Sequence, residues 1–173
     1  LAVTIPERRG AFREFCAVLG RRIVTEFNYR LSSRDQAQIF VGVATLSRQD
    51  GLTLIESLNA AGYPTVDLTD NETAKLHVRH MVGGRTDTVR EEQLCRFEFP
   101  ERPGALARFL DHLGDRWNIS LFHYRNHGAD SGRVLAGFEV PSGDITSFHQ
   151  FLHDLGYQYT LEPDNIAYRL FLA

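Results

Sequence analysis

Lysine is almost missing from this chain: Lys75 is the only one, although Lys and Arg together number 19. Any Schiff-base chemistry would have to run through that one residue, in a polar stretch without a phosphate-cradling glycine-rich loop. Cysteine is nearly as scarce. Cys16 and Cys95 stand far apart, without metal-ligand spacing, and read as two buried thiols in a reducing, cytoplasmic compartment. No run approaches the ~18 consecutive apolar residues of a membrane span, and no secretory leader opens the sequence. An excess of basic charge is missing too. The net charge of −3 gives no electrostatic footprint for nucleic acid or anionic lipid.

What is there is ordinary globular material, 43% hydrophobic and 24% charged. The sequence opens on Leu1 rather than Met and reads as a piece of something longer. Its 173 residues suit one large domain or two small ones near the lower size limit for a self-sufficient core.

Self-comparison decides between these. Pro6-Glu7-Arg8-Arg9-Gly10-Ala11-Phe12 returns as Pro100-Glu101-Arg102-Pro103-Gly104-Ala105-Leu106, an offset of 94. Phe27-Asn28-Tyr29-Arg30 returns as Phe122-His123-Tyr124-Arg125, and Val41-Gly42-Val43 as Ala136-Gly137-Phe138, both at 95. Leu58 through Tyr63 matches Leu152 through Tyr157, and Asp70-Asn71 matches Asp164-Asn165, both at 94. Ordered blocks with a one-residue drift mark a duplication.

Each copy carries the same periodicities. In the first, residues 2–5 make a short apolar strand ended by Pro6. Phe12, Phe15 and Val18/Leu19 follow at helical spacing, with Gly20 as the stop. Residues 25–31 alternate, with Phe27, Tyr29 and Leu31 on one face and Glu26, Asn28 and Arg30 on the other. A strand over 39–44 comes next. Leu52, Ile55 and Leu58 define a second helix closed by Gly62, and residues 65–68 a last strand. The second copy repeats this with strands over 94–99, 119–125, 134–140, 157–161 and 167–172. Its helices are lined by Leu106, Phe109, Leu110 and Leu113, and by Ile145, Phe148, Leu152 and Leu155.

The order βαββαβ in about 75 residues is a ferredoxin-like split βαβ unit. The expected class is therefore α+β: two such units side by side, joining edges in an antiparallel sheet of about eight strands with the helices on one face. Residues 1–82 form the first unit with a connecting segment, whose 73–82 stretch reads as a short helix. Residues 83–93 form a linker and 94–173 the second unit.

Two places could carry chemistry. The Pro-Glu-Arg-x-Gly-Ala turn leads a strand into a helix N-terminus in both copies. Gly10 and Gly104 would let a ligand approach the backbone, and the free N–H groups there attract a carboxylate. The same residues also make an ordinary tight turn. The second place is the pair of blocks Asn28-Tyr29-Arg30 and His123-Tyr124-Arg125. A tyrosine ring with its polar tip suits an aliphatic amino acid, but alternation equally places both rings in the core beside Phe27 and Phe122.

The histidine pairs His149/His153, His77/His80 and His123/His127 lack a Cys or carboxylate partner at motif spacing, so no metal site is expected. Arg8-Arg9 and Arg21-Arg22 read as solvated charges. A ferredoxin-like hydrolase of the acylphosphatase type would need one of these arginines for phosphate and an activating asparagine, for which only Asn28 stands near. Copy two has His123 there.

Three runs in particular resemble the C-terminal regulatory region of biosynthetic threonine dehydratases. They are Val24-Thr25-Glu26-Phe27-Asn28-Tyr29-Arg30, His77-Val78-Arg79-His80-Met81-Val82-Gly83-Gly84-Arg85, and Trp117-Asn118-Ile119-Ser120-Leu121-Phe122-His123-Tyr124-Arg125. Val3 through Glu7, Ile39 through Val43 and Phe97 through Glu101 extend the resemblance to essentially the whole chain. It implies a tandem ACT-like region without catalytic residues, attached to an N-terminal pyridoxal-phosphate domain that deaminates threonine to 2-oxobutanoate and ammonia on the way to isoleucine. Pyridoxal phosphate would belong to that domain and not to this chain. The resemblance further implies isoleucine as inhibitor, valine as its antagonist, and a homo-oligomer: a tetramer for the parent, with a dimer open to the fragment. It maps effector binding onto Tyr29 and Tyr124. The readings of the turn and of the strand blocks add Asn28, His123, Glu7, Gly10, Ala11, Glu101, Gly104 and Ala105 as candidate effector-binding residues, with Arg30 and Arg125, which alternation puts on the opposite sheet face, as supporting contacts. An ACT pair from another amino-acid-regulated enzyme is the alternative.

Overall fold

Alternating apolar residues fix the sheet, and the computed structural model of the protein shows how far they do so. It describes residues 1–31, 33–72, 74, 80, 86–100, 104–125 and 131–165. The first unit runs β1 (Ala2–Pro6), α1 (Ala11–Leu19), β2 (Val24–Arg30), β3 (Gln36–Val43), α2 (Arg48–Ala60) and β4 (Thr65–Val66). The second runs β5 (Glu92–Pro100), α3 (Ala105–Leu113), β6 (Asn118–Arg125), β7 (Ser131–Glu139), a 3₁₀ turn (Ser142–Asp144), α4 (Ile145–Leu155) and β8 (Gln158–Leu161).

All eight strands form one sheet in the order β4-β1-β3-β2-β6-β7-β5-β8. Each half has the ferredoxin-like arrangement, and the halves meet where β2 and β6 pair antiparallel. Asn28 lies opposite His123, Phe27 opposite Tyr124 and Tyr29 opposite Phe122. Because Phe27 and Tyr29 are the repeat partners of Phe122 and Tyr124, this register makes a local two-fold axis through Asn28 and His123. Joining β2 to β6 removes two raw edges from the sheet.

The helices cover one face. Phe12 and Phe15 of α1 pack their rings on Phe27, Phe109 of α3 on Phe97 and Phe122, and Phe148 of α4 on Trp117 and Phe138. These groups merge into a single apolar cluster that spans both units, so the two halves share one core. Among the described residues no helix is long and apolar enough to cross a membrane.

Both units bend their sheets by the same device. The ladder between β2 and β3 slips at Thr25, and that between β6 and β7 at Ser120. Each bulge faces a glycine. A Cβ on Gly42 would come within 2.6 Å of Thr25 Oγ1, and one on Gly137 within 2.8 Å of Ser120 Oγ.

Some boundaries differ from the sequence expectation. Pro6 remains in β1, opposite Gln36, because it stands at the strand end, where a missing N–H is tolerated. β4 stops after Val66, since the Asp67 side chain accepts from Thr69 N–H at 2.9 Å and turns the chain. β5 begins at Glu92, inside the stretch read as linker. In α2 the buried stripe is Leu54 and Leu58; Leu52 is exposed and lines, with Ile55, a groove of about 480 Å³ that also touches Leu1, Gly42 and Leu68. The helix begins at Arg48, capped by Ser47, and this phase aims positions 54 and 58 inward. The expected strand over 167–172 lies outside the described residues, as does the helix over 73–82 apart from a buried Ala74 and an exposed His80.

Candidate functional site

Alternation along β2 and β6 separates the predicted site residues onto two faces. Tyr29 and Tyr124 point to the helix side and are buried there, Tyr29 at 1% exposure. Phe12 meets the Tyr29 ring edge-on at 4.7 Å, and Phe99 lies beside Tyr124 at 6.5 Å. Asn28 and His123 point to the opposite face, where Asn28 Nδ2 donates to Glu26 Oε1 at 3.1 Å. The sheet therefore stands between them and the tyrosines, and Asn28 and His123 cannot line one pocket with Tyr29 and Tyr124.

Tyr29 and Glu7 do come together. Tyr29 Oη donates to Glu7 Oε2 at 2.5 Å, which links β2 to the turn after β1. Glu7 Oε1 accepts from Asn118 Nδ2 at 3.2 Å, and the same nitrogen donates to Glu139 Oε2 at 3.1 Å. One amide nitrogen of the second unit thus bridges a carboxylate of each unit. Burial pushes the Glu7 carboxyl above its ordinary range, with Glu139 adding to the rise, while the Tyr29 and Asn118 hydrogen bonds draw it back. Burial, reinforced by the Glu7 charge, pushes the Tyr29 hydroxyl far up, so it stays a proton donor. Beside this bridge a cavity of about 150 Å³ opens between the units, lined by Glu7, Leu31, Arg34, Thr88, Asn118 and Glu139.

The turn glycines behave differently in the two copies. Both cap their helices in the left-handed region, Gly10 at φ 80° and Gly104 at φ 87°. Over Gly10 lies the Asp115 carboxylate of the second unit, where an added Cβ would collide with Oδ1; Arg13 pairs with it at 3.2 Å. The Ala11 N–H is taken by Arg8 O at 3.1 Å. A Cβ added at Gly104 would meet nothing within 4 Å among the described residues. Ala105 O accepts from the Tyr157 hydroxyl at 3.1 Å. Glu101 lies outside the described residues.

On the opposite face Arg30 crosses the unit boundary. Its guanidinium pairs with Glu92 at 2.5 Å, with both side chains 5% exposed or less, and Ser120 Oγ also donates to Glu92. Gly137 makes room for this group, because a Cβ there would stand 2.5 Å from Glu92 Oε1. Arg125 is half-buried, opposite Glu26 in the register.

Elsewhere the chemistry is quiet. Cys16 and Cys95 are free thiols, each pushed by burial to about 12, where thiolate reactivity is lost. His149 and His153 face solvent on α4. Among the described residues no three His, Cys, Asp or Glu side chains gather in a metal-sized group.

Sequence reasoning missed Asn118, Glu139 and Arg34. A signal existed: at the repeat offset of 95, Asn118 falls on Ile23 and Glu139 on Ala44, polar against apolar. Such breaks in an otherwise kept repeat mark positions where one copy does something that the other does not.

The chain is 55% identical to the biosynthetic L-threonine dehydratase of Escherichia coli, covering 100% of this chain and 34% of that protein. It is 52% identical to the Burkholderia multivorans enzyme, with 99% and 34% covered, and 45% identical to the mitochondrial threonine dehydratase of Saccharomyces cerevisiae, with 99% and 31% covered. It spans about a third of the length of these relatives. In fold it is similar to aspartate kinase from Synechocystis, with a TM-score of 0.56 at 14% identity over 93% of this chain and 28% of that one. The family described as the C-terminal regulatory domain of threonine dehydratase matches residues 1–78 and 83–172. With both halves of the duplication inside that match, the chain belongs to the threonine dehydratase C-terminal regulatory family.

Proposed function

We propose that this chain is an amino-acid sensor that turns over nothing itself and governs a threonine dehydratase active site carried elsewhere in a longer protein. The effectors are isoleucine as inhibitor and valine as antagonist. The observation that carries the reading is the cavity at the unit boundary, where Glu7 is held by Tyr29 beside Leu31. An α-amino acid offers an ammonium for the carboxylate and an aliphatic chain for the apolar wall.

Isoleucine and valine differ by one methylene, worth roughly 0.8 kcal/mol on burial, so one pocket admits both. Opposite effects on activity then require different preferences for two conformations, since equal affinity for both shifts nothing. A site whose walls come from two units provides such a pair of states, because a shift of one unit on the other changes the cavity.

The chain's single lysine, Lys75, stands in the sequence without a phosphate-cradling glycine-rich loop, which argues against a pyridoxal-phosphate site within this chain. The cofactor is assigned to the catalytic part of the parent enzyme, which we place in the cytoplasm as a homo-oligomer. Calorimetric titration of this chain with isoleucine and then valine tests the reading, alongside an assay for 2-oxobutanoate from threonine. Saturable binding without turnover supports it; turnover, or no binding of either amino acid, overturns it.

A further inference from the structure

We infer that Glu139, Asn118 and Arg34 recognise the head group of a zwitterionic α-amino acid together with Glu7, and that the chain has one such head-group site and not two. The inference rests on the proposed sensing of amino acids at this boundary and names the chemistry that performs it.

The cavity wall holds one group for each part of an α-amino acid. Glu7 and Glu139 converge on a single nitrogen, Asn118 Nδ2, at 3.2 and 3.1 Å. A neutral amide N–H₂ is a modest partner for two carboxylates, whereas an ammonium brings three donors and a full charge. The ligand ammonium takes over the contacts that Asn118 makes to Glu7 and Glu139, and the freed Asn118 amide donates to the ligand carboxylate. On the same wall Arg34 is exposed, with its guanidinium 3.4 Å from Thr88 O, so a carboxylate meets it without a large desolvation cost. Leu31 supplies apolar surface. A cavity of about 150 Å³ is smaller than the roughly 300 Å³ at which drug-sized pockets begin. It suits the head of a small molecule.

The repeat shows why the site is single. At offsets of 94 and 95, Glu7, Leu31, Arg34, Asn118 and Glu139 correspond to Glu101, Asn126, Ala129, Ile23 and Ala44. Only the glutamate survives. In the sequence the second carboxylate, the bridging amide and the guanidinium are replaced by Ala44, Ile23 and Ala129, and Ile23 stands 52% exposed. A duplication that kept its bulges, glycines and tyrosines on both sides while changing four of the five lining residues that have a repeat partner has specialised one boundary.

The test is calorimetric titration of the chain and its E139Q and R34M variants with isoleucine, N-acetylisoleucine and isoleucinamide, with melting curves for each variant. We expect one isoleucine per chain and about a tenfold weaker affinity in each variant, as for one lost charge-assisted contact. N-acetylisoleucine should bind weakly to the parent and be indifferent to E139Q; isoleucinamide should be indifferent to R34M. Because Arg34 is exposed, R34M folds normally and keeps the test sound even where E139Q melts early. Two equal sites, or variants that bind isoleucine like the parent, overturn this inference while leaving amino-acid sensing in place. A parent chain that binds no branched-chain amino acid overturns both.

Discussion

The two halves of this chain are the same in backbone and different in polar chemistry. Gly10 and Gly104 cap their helices alike, and Thr25 and Ser120 bulge opposite Gly42 and Gly137. Yet the second half sinks Glu92 and Ser120 against Arg30 of the first, and supplies Asn118 and Glu139 to a boundary whose counterpart offers Ile23 and Ala44. The difference teaches which features the fold cannot change. Left-handed turns and bulges admit few residues, so both copies keep them. Side chains at the rim of a shared boundary can diverge without disturbing the core.

The comparison breaks most severely at the buried ion pair. Arg30→Met leaves Glu92 buried without the guanidinium that faces it, and we expect a loss of about 3–5 kcal/mol in urea unfolding. Arg125→Met, the same change at the repeat partner, should cost far less, because Arg125 is half-buried. Equal losses would show that the two halves carry their arginines in the same way.

A smaller effect separates the two bulge glycines. Gly137→Ala drives a methyl into Glu92 and Ser120, and Gly42→Ala into Thr25 with Glu26 Cβ at 3.3 Å. Overpacking costs about 1–3 kcal/mol. Gly137, fully enclosed beside the ion pair, should lie at the top of that range, and Gly42, half-buried beside an exposed Thr25, at the bottom. Thermal melts of the two variants rank them directly.

Smaller again is the pair of tyrosines. Tyr29→Phe removes the hydroxyl that holds Glu7, with an expected cost of about 1 kcal/mol to folding and a similar loss in isoleucine binding. Tyr124→Phe should leave isoleucine affinity close to the parent value if the head group is read only at the Glu7 boundary. Equal affinity losses in both variants would restore the symmetry between the units.

The mildest expectation concerns pH. Glu7 is held above its ordinary value of 4.5, so the folded chain binds that proton more tightly than the unfolded one. The resulting contribution to stability is full below 4.5 and fades as the pH rises through the folded value. Glu7→Gln should flatten melting temperature against pH over that interval. An unchanged slope would assign the pH dependence to other carboxylates.

The duplication, the element order and the helix-facing rings of Phe12, Phe15, Phe27 and Phe109 were all legible in the sequence, because periods of 3.6 and 2 are local properties of side-chain direction. The Pro-Glu-Arg-x-Gly-Ala turn was legible as well. The role of its glycine was not: Gly10 takes Asp115 of the other unit, a contact over more than a hundred residues that no local pattern encodes. Alternation already separated Asn28 from Tyr29. Grouping them in one site set the motif's contiguity above the geometry of a strand.

By itself, then, the sequence determined two βαββαβ units, their cores and their family, since glycine conformation and apolar period are written residue by residue. Only the tertiary structure decided that β2 pairs with β6 and that Arg30 finds Glu92. It also decided that Glu7, Tyr29, Asn118 and Glu139 meet around one cavity. Those contacts join residues remote in the chain, and their energies depend on burial and on distances of a few ångströms, which exist only once the two halves have packed.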